Sequence, residues 1–384
     1  MNFALSDDHL LLQQSIRDFT MKEVAPGAAE RDLAAEMPQE LRDQLTELGL
    51  MGVCIPAEYG GAGLDCVAST IAVEEISKAC AGTGVFVSAH NSLCVDPIMA
   101  FGTAEQKKKY LPMLAGGTVG CLSLTEPGSG SDANAARCMA VQEKDCWRIS
   151  GSKIFVTNGK EAGVMVLIAV TDPGAPKHRL SAFIVEQPWD GLRIAKVEKK
   201  LGIKCSSTAE FVFEDCLIPR QNLLGEVGEG LHIALATLDG GRIGIAAQAL
   251  GIAEACLHTA SKYANTREQF GRPIARFQAI QNKIADMAVR IEASRNLIWR
   301  AAWLKDKEEP YGYYSAMAKL YASETASLCA NHAVQVFGGY GYCQDYPAER
   351  FLRDAKITEL YEGTSEIHRI VIWRGLLKEA ECRT

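Results

Sequence analysis

The segment EGLHIALATLDGGRIGIAAQALGIAEACLHTASKYANTR, residues 229–267, decides the fold class of this 384-residue chain. Its apolar residues recur at helical spacing, and its glycines and alanines leave room for other helices to pack closely. Two further long helical segments follow, at about 277–306 and 312–337. Together the three segments predict a helical bundle in the C-terminal part of the chain.

The sequence upstream of this segment has a different texture. Between residues 119 and 218 it contains seven short runs rich in Val, Ile and Phe, separated by Gly, Pro, Asn and Asp. Such runs predict an antiparallel barrel or sandwich. They do not alternate with helices, which counts against a doubly wound parallel sheet. The runs are VGCLSL, ARCMAV, CWRISGSKIFVT, GVMVLIAVTD, LSAFIVE, LRIAKV and AEFVFEDCLI.

The first 118 residues have helical periodicity again. One helix is predicted to open at Ser6 or Asp7 and to stop at Pro26, and another to start at Pro38. We therefore predict an α+β multidomain protein in the order α, β, α. Its domains are a helical domain over 1–118, a β-domain over 119–228 and a helical bundle over 229–384.

Bulk composition excludes some classes of protein. The 40 basic and 47 acidic residues give a net charge of −7, which argues against a nucleic-acid or anionic-membrane protein but leaves room for a local basic site. The thirteen cysteines lack C-x-x-C and zinc spacing, so we expect free thiols in a reducing cytoplasm and no metal site. No signal peptide and no membrane span are expected, because the N-terminus lacks a basic region and no unbroken apolar run reaches roughly 18 residues.

Two motifs in the predicted β-region offer polar groups next to open backbone. LTEPGSGSD (124–132) presents hydroxyls and exposed N–H groups suited to a polar cofactor or a phosphate, although an ordinary hairpin loop would have the same sequence. In KIFVTNG (153–159), strand alternation places Phe155 and Thr157 on one face, where they could stack on a flat ring and bind its edge. A packed strand that ends in a turn is the alternative.

Three motifs lie in the C-terminal helical region. LDGGRIG (238–244) places Asp239 and Arg242 one helical turn apart, either to bind a ligand or to form a simple ion pair. Its adjacent glycines, Gly240 and Gly241, are unfavourable in a helix, which indicates that something bulky needs the space. TREQFGRPIARFQAIQ (266–281) carries arginines that could neutralise a pyrophosphate or merely form a basic loop. QVFGGYGY (335–342) is either a helix C-cap or a close approach to a nucleotide.

A carboxylate beside a glycine marks the segment ITELYEGTSEIHRI (357–370). Glu362 stands between Tyr361 and Gly363, at a break between two helical segments. A solvated helix surface would not need the glycine. A base that reaches into a pocket would.

In their joint order, these motifs resemble those of the flavin-dependent acyl-CoA dehydrogenases over essentially the whole chain. The matching segments are LTEPGSGSDA, KIFVTNG, LDGGRIGIAAQALGIA, REQFGRPIARFQAIQ, AVQVFGGYGY and YPAERFLRDAKITELYEGTSEIHR. PAEYGGAGLD and VSAHNSL look most like the short-chain, butyryl-CoA type members. The family fold, an N-terminal helical domain, a middle β-domain and a C-terminal four-helix domain, agrees with the order predicted above.

The resemblance implies that FAD lies between the β-domain and the C-terminal helices. Thr125 and Thr157 would bind the polar edge of the flavin ring, and Phe155, often Trp in the family, would pack on one face. Arg267 and Gln278 would bind the diphosphate. The adenosine half usually contacts its residues across a subunit interface, which implies a homotetramer built from dimers. The full implied FAD set is Leu122, Leu124, Thr125, Gly130, Ser131, Phe155, Val156, Thr157, Arg267, Phe270, Gln278, Gln335, Val336, Gly338, Gly339, Thr364, Ser365 and Glu366.

The resemblance also implies a mechanism. Glu362 would remove the α-proton of an acyl thioester, flavin N5 would take the β-hydrogen as hydride, and the product would be a trans-2-enoyl-CoA. A dry pocket raises the pKa of such a base towards neutrality. The thioester carbonyl would be polarised by the backbone N–H of Glu362 and a ribityl hydroxyl. Some relatives carry the base at the position of Gly241, which cannot act. The implied substrate-binding residues are Ser131, Asp239, Arg242, Tyr361 and Gly363.

The acyl group and the electron acceptor stay open at this stage. The pocket floor is expected from residues 89–101 and about 236–246, with Cys94, Asp96 and Met99 as candidates for tuning. A straight C4–C6 acyl-CoA is favoured, with a small branched or cyclic (cyclohexane or cyclohexene carboxyl) group as the alternative. An electron-transfer flavoprotein is the expected acceptor. The competing interpretations are use of O₂ as in an oxidase, reversal to an enoyl-CoA reductase, and a catalytically idle CoA-thioester-binding protein.

Overall fold

Helices form the N-terminal part of the chain in the computed structural model, which describes residues 4–175 and 177–382. The hydroxyl of Ser6 accepts a hydrogen bond of 3.2 Å from the backbone N–H of His9, so the predicted cap of the first helix is confirmed. A π-helical turn over Asn91–Val95 joins the fifth helix to the sixth. The helices are α1 (Asp7–Phe19), α2 (Ala28–Ala34), α3 (Gln39–Glu47), α4 (Cys66–Ser77), α5 (Ala81–His90), α6 (Asp96–Phe101) and α7 (Ala104–Ala115).

A mixed β-sheet follows, and each of the seven predicted runs forms a strand. The strands are β1 (Val119–Ser123), β2 (Met139–Gln142), β3 (Cys146–Thr157), β4 (Ala162–Val170), β5 (Leu180–Glu186), β6 (Leu192–Val197), β7 (Thr208–Pro219) and the short β8 (Leu223–Leu224). The order is β6-β7-β3-β2-β4-β5-β8, with β1 paired to β4.

The sheet is not wholly antiparallel, which corrects the prediction of an antiparallel barrel or sandwich. β1 and β2 both pair in parallel with β4, while the other pairs are antiparallel. The chain between β1 and β2 crosses back to the start of β2, so the two strands run in the same direction. The chain then reverses direction between β2 and β3 and again between β3 and β4, so β4 runs in the same direction as β1 and β2.

A bulge interrupts β3 where sequence alternation predicted a shared face for Phe155 and Thr157. The register against β7 shifts between Lys153 and Val156, and Phe155 has a left-handed φ of 56°. An extra residue on one strand of a pair breaks the two-residue repeat. The simple alternation on which that prediction rested therefore does not hold at this point.

The C-terminal part is helical as predicted, with long helices at the three expected places. A small hairpin of β9 (Glu268–Gln269) and β10 (Arg272–Pro273) separates the first two. Buried alanines, among them Ala249, Ala253, Ala326 and Ala330, form much of the bundle core and let the helices approach closely. The helices are α8 (Gly230–Thr266), α9 (Gln278–Asp306), α10 (Gly312–Phe337), α11 (Ala348–Ile357) and α12 (Ser365–Cys382).

The element order is therefore α, β, α, while the domain boundaries at 118/119 and 228/229 stay predictions. Within the described residues, α8 is the one helix long and apolar enough to cross a membrane. Of its apolar stretch, 72% is buried inside the protein, as in the core helix of a bundle.

A fully buried ion pair anchors the loop that leaves β1. Lys153 Nζ donates to the carboxylate of Glu126 and to the carbonyl oxygen of Leu124, both at 2.8 Å. The same carboxylate accepts from the backbone N–H groups of Arg137 at 2.7 Å and Cys138 at 3.0 Å. Because every oxygen and the ammonium group have partners, the loop is fixed to β3 and to the start of β2.

Removing one member of this pair should destabilise the protein strongly. Glu126→Gln leaves the ammonium of Lys153, whose side chain is 0% exposed, without a counter-ion, and we expect a loss of about 3–5 kcal/mol in the free energy of unfolding. The control is Glu214→Gln, which breaks an exposed pair with Arg193 and should cost at most about 1 kcal/mol. Urea unfolding measures both. Equal midpoints for the two variants would contradict the role given to the buried pair.

Candidate active site

Glu362 occupies a left-handed turn between α11 and α12. Its φ is 52°, and that of the following Gly363 is 100°. A left-handed glutamate is uncommon, whereas glycine adopts such angles readily. The turn directs the carboxyl group onto the bare backbone of α8, where a methyl group added to Gly241 would lie 2.0 Å from Glu362 Oε2. The prediction that a bulky group needs the space beside Gly240 and Gly241 is thereby confirmed.

One oxygen of the Glu362 carboxyl group is shielded from solvent, although the residue as a whole is half-buried. Its Oε2 atom is buried and has no hydrogen-bond partner among the residues that the structure describes. Burial raises the pKa of Glu362 to about 8, and the positive charges of Lys319 and Arg242 only partly oppose that rise. A carboxylate with this pKa can both accept and release a proton near neutral pH.

A fully buried lysine holds the turn from the side of α10. Lys319 Nζ donates a hydrogen bond of 2.7 Å to the carbonyl oxygen of Gly363. Burial lowers the pKa of Lys319 to about 7, although the nearby charge of Glu362 raises it. Lys319 therefore fixes the backbone next to Glu362 and adds a positive charge that titrates near neutrality.

Arg242 approaches the same turn from α8. It is only 4% exposed and forms the expected ion pair with Asp239. Its Nε also lies 3.5 Å from the carbonyl oxygen of Glu362. The pair is thus more than a solvated surface contact, because the guanidinium group is held within the site rather than in water.

The residues that flank Glu362 make further contacts with α8 and α12. The hydroxyl of Tyr361 donates to the side-chain carbonyl of Gln248. A methyl group on Gly363 would lie 3.0 Å from the ring of His368, whose pKa falls to about 3 through burial and the nearby cations. Thr364 Oγ1 accepts from the N–H of Ile367 at 3.4 Å, at the start of α12. Ser365 Oγ is buried and has no partner among the described residues, and Glu366 is exposed.

The predicted ring-binding residues of the β-domain lie together. Thr125 accepts a hydrogen bond of 2.8 Å from the N–H of Ile154, so its loop runs beside Phe155. Phe155 is 60% exposed, whereas Val156 is 1% exposed and Thr157 is half-buried. Along the same loop, Leu122 and Leu124 are half-buried against the core, and Gly130 and Ser131 are exposed.

Part of a second predicted group lies where α8 and α10 end. The guanidinium carbon of Arg267 lies 5.7 Å from the ring centre of Tyr340, beside Gly338 and Gly339. Phe270 is left-handed and 93% exposed. Of the remaining members of this group, Gln278 begins α9 and is exposed, Gln335 is exposed, and Val336 is buried.

These residues fit a large cofactor with a flat ring and polar edges. Phe155 and Phe270 hold apolar rings out from the surface, each on a left-handed backbone. Nothing lies within 4 Å of a methyl group placed on Gly130, Gly338 or Gly339, so a ligand can approach the backbone there. Glycines, exposed aromatic rings and unpaired hydroxyls are the groups that an isoalloxazine and a pyrophosphate require.

The sequence reasoning missed Lys319, Gln248 and the buried Lys153–Glu126 pair. Lys319 could have been found, because it is the one charge in the small-residue run SAMAKLYAS of a predicted core helix. A lysine on a buried helix face needs a partner, and such a residue indicates a functional site. Gln248 gave no comparable signal, because glutamine is an ordinary helix residue.

Comparison with known proteins identifies the family. Three family models match: "Acyl-CoA dehydrogenase, N-terminal domain" at residues 6–118, the middle domain at 121–216 and the C-terminal domain at 228–377. The short-chain specific acyl-CoA dehydrogenase of Mus musculus mitochondria is 51% identical over 375 residues, which is 97% of this chain and 91% of that protein.

Comparison with solved structures points to the same family. Butyryl-CoA dehydrogenase from Megasphaera elsdenii is 44% identical, with a TM-score of 0.96 over 98% of this chain and all of the other. A chain from work on the electron transferring flavoprotein of Acidaminococcus fermentans is 52% identical, with a TM-score of 0.97 over 98% of this chain and all of the other. An acyl-CoA dehydrogenase of Bacillus anthracis, 35% identical with a TM-score of 0.91 over 98% and 68%, was solved with FAD bound. The chain therefore belongs to the acyl-CoA dehydrogenases, a family of FAD-dependent oxidoreductases.

Proposed function

We propose that this enzyme oxidises short-chain acyl-CoA thioesters to trans-2-enoyl-CoA, with Glu362 as the catalytic base. The observation that carries the proposal is the carboxyl group of Glu362, buried against Gly241 with a pKa raised to about 8. When bound, FAD supplies the acceptor for the β-hydrogen as hydride. The chain itself must supply the base, the polarising donors and a dry pocket.

In the proposed reaction, Glu362 Oε2 accepts the α-proton and the carboxylate becomes neutral. Burial disfavours the charged form of Glu362, so this transfer relieves an unfavourable buried charge. The backbone N–H of Glu362 donates to the thioester carbonyl, where negative charge develops as the proton leaves. Lys319 holds the neighbouring carbonyl of Gly363, which keeps this N–H in a fixed direction.

The roles of the other site residues follow from their positions. Arg242 and Asp239 lie beside Glu362 and would bind the CoA thioester with Ser131, Tyr361 and Gly363. The group around Thr125 and Phe155 would hold the flavin ring. The group around Arg267 and Tyr340 would hold the diphosphate and the adenosine. Thr364 and Ser365 would hold the flavin near Glu362. Arg267 and Phe270 lie on the exposed surface of one chain, which supports sharing of the cofactor within a homotetramer.

We further propose an electron-transfer flavoprotein as the acceptor of the electrons. Support comes from the 52% identical chain found in work on an electron transferring flavoprotein. A cytoplasmic location agrees with the cysteines that the structure describes, which are all free thiols.

Glu362→Gln tests the proposed base directly. The amide has the same shape but cannot take a proton, so FAD and butyryl-CoA should still bind while anaerobic flavin bleaching slows by roughly 10²–10⁴-fold. Stopped-flow absorbance gives the rate and equilibrium titration gives the binding. Glu324→Gln, at an exposed glutamate paired with Arg369, is the matched control and should bleach like the wild type. Bleaching of Glu362→Gln at the wild-type rate would rule out the assignment.

Gly241→Ala tests the contact beneath the base. The new methyl group would lie 2.0 Å from Oε2 and 2.8 Å from Cδ of Glu362, so the carboxyl group must move. We expect normal FAD content and a bleaching rate at least about 100-fold lower, because small misplacements of a reacting group are costly. Gly174→Ala, where the nearest atom would be 3.5 Å away, is the control. If both variants bleached equally fast, Glu362 would not depend on the open face of α8.

A further inference from the structure

A small cavity with several polar side chains in its lining lies against the glycine-rich turn of α8, whose Gly241 contacts Glu362. Its volume is about 20 Å³, and its lining combines the polar side chains of Asp96, Lys305, Ser88 and Asn91 with the apolar side chain of Ile243 and the backbone of Gly240. A cavity of this size holds about one water molecule or one hydroxyl group. Apolar pocket ends, by contrast, are lined by side chains that form no hydrogen bonds.

An ion pair forms one wall of the cavity. Lys305, near the end of α9, donates to the carboxylate of Asp96, the first residue of α6. The side chains are 26% and 23% exposed, so both still reach open space. Burial lowers the pKa of Lys305, but the negative charge of Asp96 outweighs this effect and raises the pKa well above its usual range, so the ammonium group stays charged at neutral pH.

Two polar atoms of the lining side chains have no partner among the described residues. They are Ser88 Oγ and Asn91 Oδ1, in residues that are 2% and 4% exposed. Ser88 Oγ lies 2.2 Å from the place that a methyl group on Gly244 would take. A buried polar atom without a partner is costly, and a bound hydroxyl or water would satisfy it.

The cavity is close to the catalytic carboxyl group. A methyl group on Gly240 would lie 3.2 Å from Lys305 Nζ and 3.3 Å from Asp96 Oδ2, and the next residue, Gly241, contacts Glu362. Successive residues of an α-helix rise only about 1.5 Å along its axis. Glu362 and the ion pair therefore contact adjacent positions of α8, Gly241 and Gly240.

We propose that Asp96 and Lys305 form a polar end wall of the acyl pocket, which favours a short acyl group with an uncharged hydrogen-bonding end over a longer hydrocarbon chain. A terminal hydroxyl can donate a hydrogen bond to Asp96 and accept one from Lys305. A methylene group at the same place can form neither hydrogen bond. Because the pair is neutral as a whole, it does not call for a charged substituent.

This inference rests on the proposed function and is tested on the FAD-loaded enzyme. Anaerobic flavin bleaching is measured with butyryl-CoA, its ω-hydroxyl analogue and hexanoyl-CoA. The three are compared by the bleaching rate constant divided by the dissociation constant of the acyl-CoA. In the wild type we expect the hydroxyl analogue to match or exceed butyryl-CoA, and hexanoyl-CoA to be at least about tenfold worse.

Two double variants separate polarity from size. Asp96→Ala with Lys305→Met makes the wall apolar and removes both charges together, which avoids a lone buried charge. We expect the preference of this variant for hexanoyl-CoA over butyryl-CoA to rise about tenfold or more. Its preference for the hydroxyl analogue over butyryl-CoA should fall by a similar factor. Asp96→Asn with Lys305→Gln keeps a polar wall and should retain the wild-type order.

The outcomes are distinct. Unchanged ratios in the apolar variant, or equal changes in both variants, would overturn the polar wall while leaving the proposed reaction intact. A wild-type preference for hexanoyl-CoA over butyryl-CoA would overturn it as well. If butyryl-CoA failed to bleach the wild-type flavin, the proposed function itself would be wrong.

Discussion

The burial of one carboxyl group is the constraint on which the site depends. Glu362 lies against bare helix backbone at Gly241, and one of its oxygens has no hydrogen-bond partner in the described part of the chain. The cations Lys319 and Arg242 limit the rise of its pKa. Without these cations burial would raise its pKa further, and exposure to water would return the pKa to the ordinary range for glutamate. The combination places the pKa near neutrality, which suits the proton-accepting role that we propose for Glu362.

Three separate parts of the chain maintain that constraint. The turn of Glu362 and Gly363 requires left-handed backbone, α8 must lack a side chain at Gly241, and α10 must supply Lys319 to hold the carbonyl of Gly363. None of the three acts alone. The alanine-rich contacts of the bundle bring α8 and α10 close enough for their residues to meet at one turn.

Local patterns were sufficient to predict most of the fold. Periodicity predicted helices at 229–267, 277–306 and 312–337. Both ends of each predicted helix agree with the structure to within one residue. The parallel pairing of β1 with β4 could not be predicted, because it depends on where a crossover of about fifteen residues sends the chain. The bulge at Phe155 could not be predicted for a similar reason, since a bulge is defined by the register against the partner strand, here β7.

The site was predictable only in part. Glu362 and Gly363 stood out as residues, but their roles and the FAD-binding set came from resemblance to a family. Lys319 and the Asp96–Lys305 pair depend on which helices become neighbours, and that information is spread over more than 200 residues in the case of Asp96 and Lys305. The polar end wall that we propose for the pocket therefore depends on the three-dimensional arrangement.

The most direct test of the central claim is the pH at which Glu362 ionises. Infrared difference spectra of FAD-loaded wild type minus Glu362→Gln, recorded from pH 5 to pH 10, isolate the carboxyl band of this one residue. The band of the neutral acid should persist through pH 6 and disappear with a midpoint near 8, in line with the pKa of about 8. A midpoint near 4.5, the ordinary value for glutamate, would show a solvated carboxylate and contradict the account.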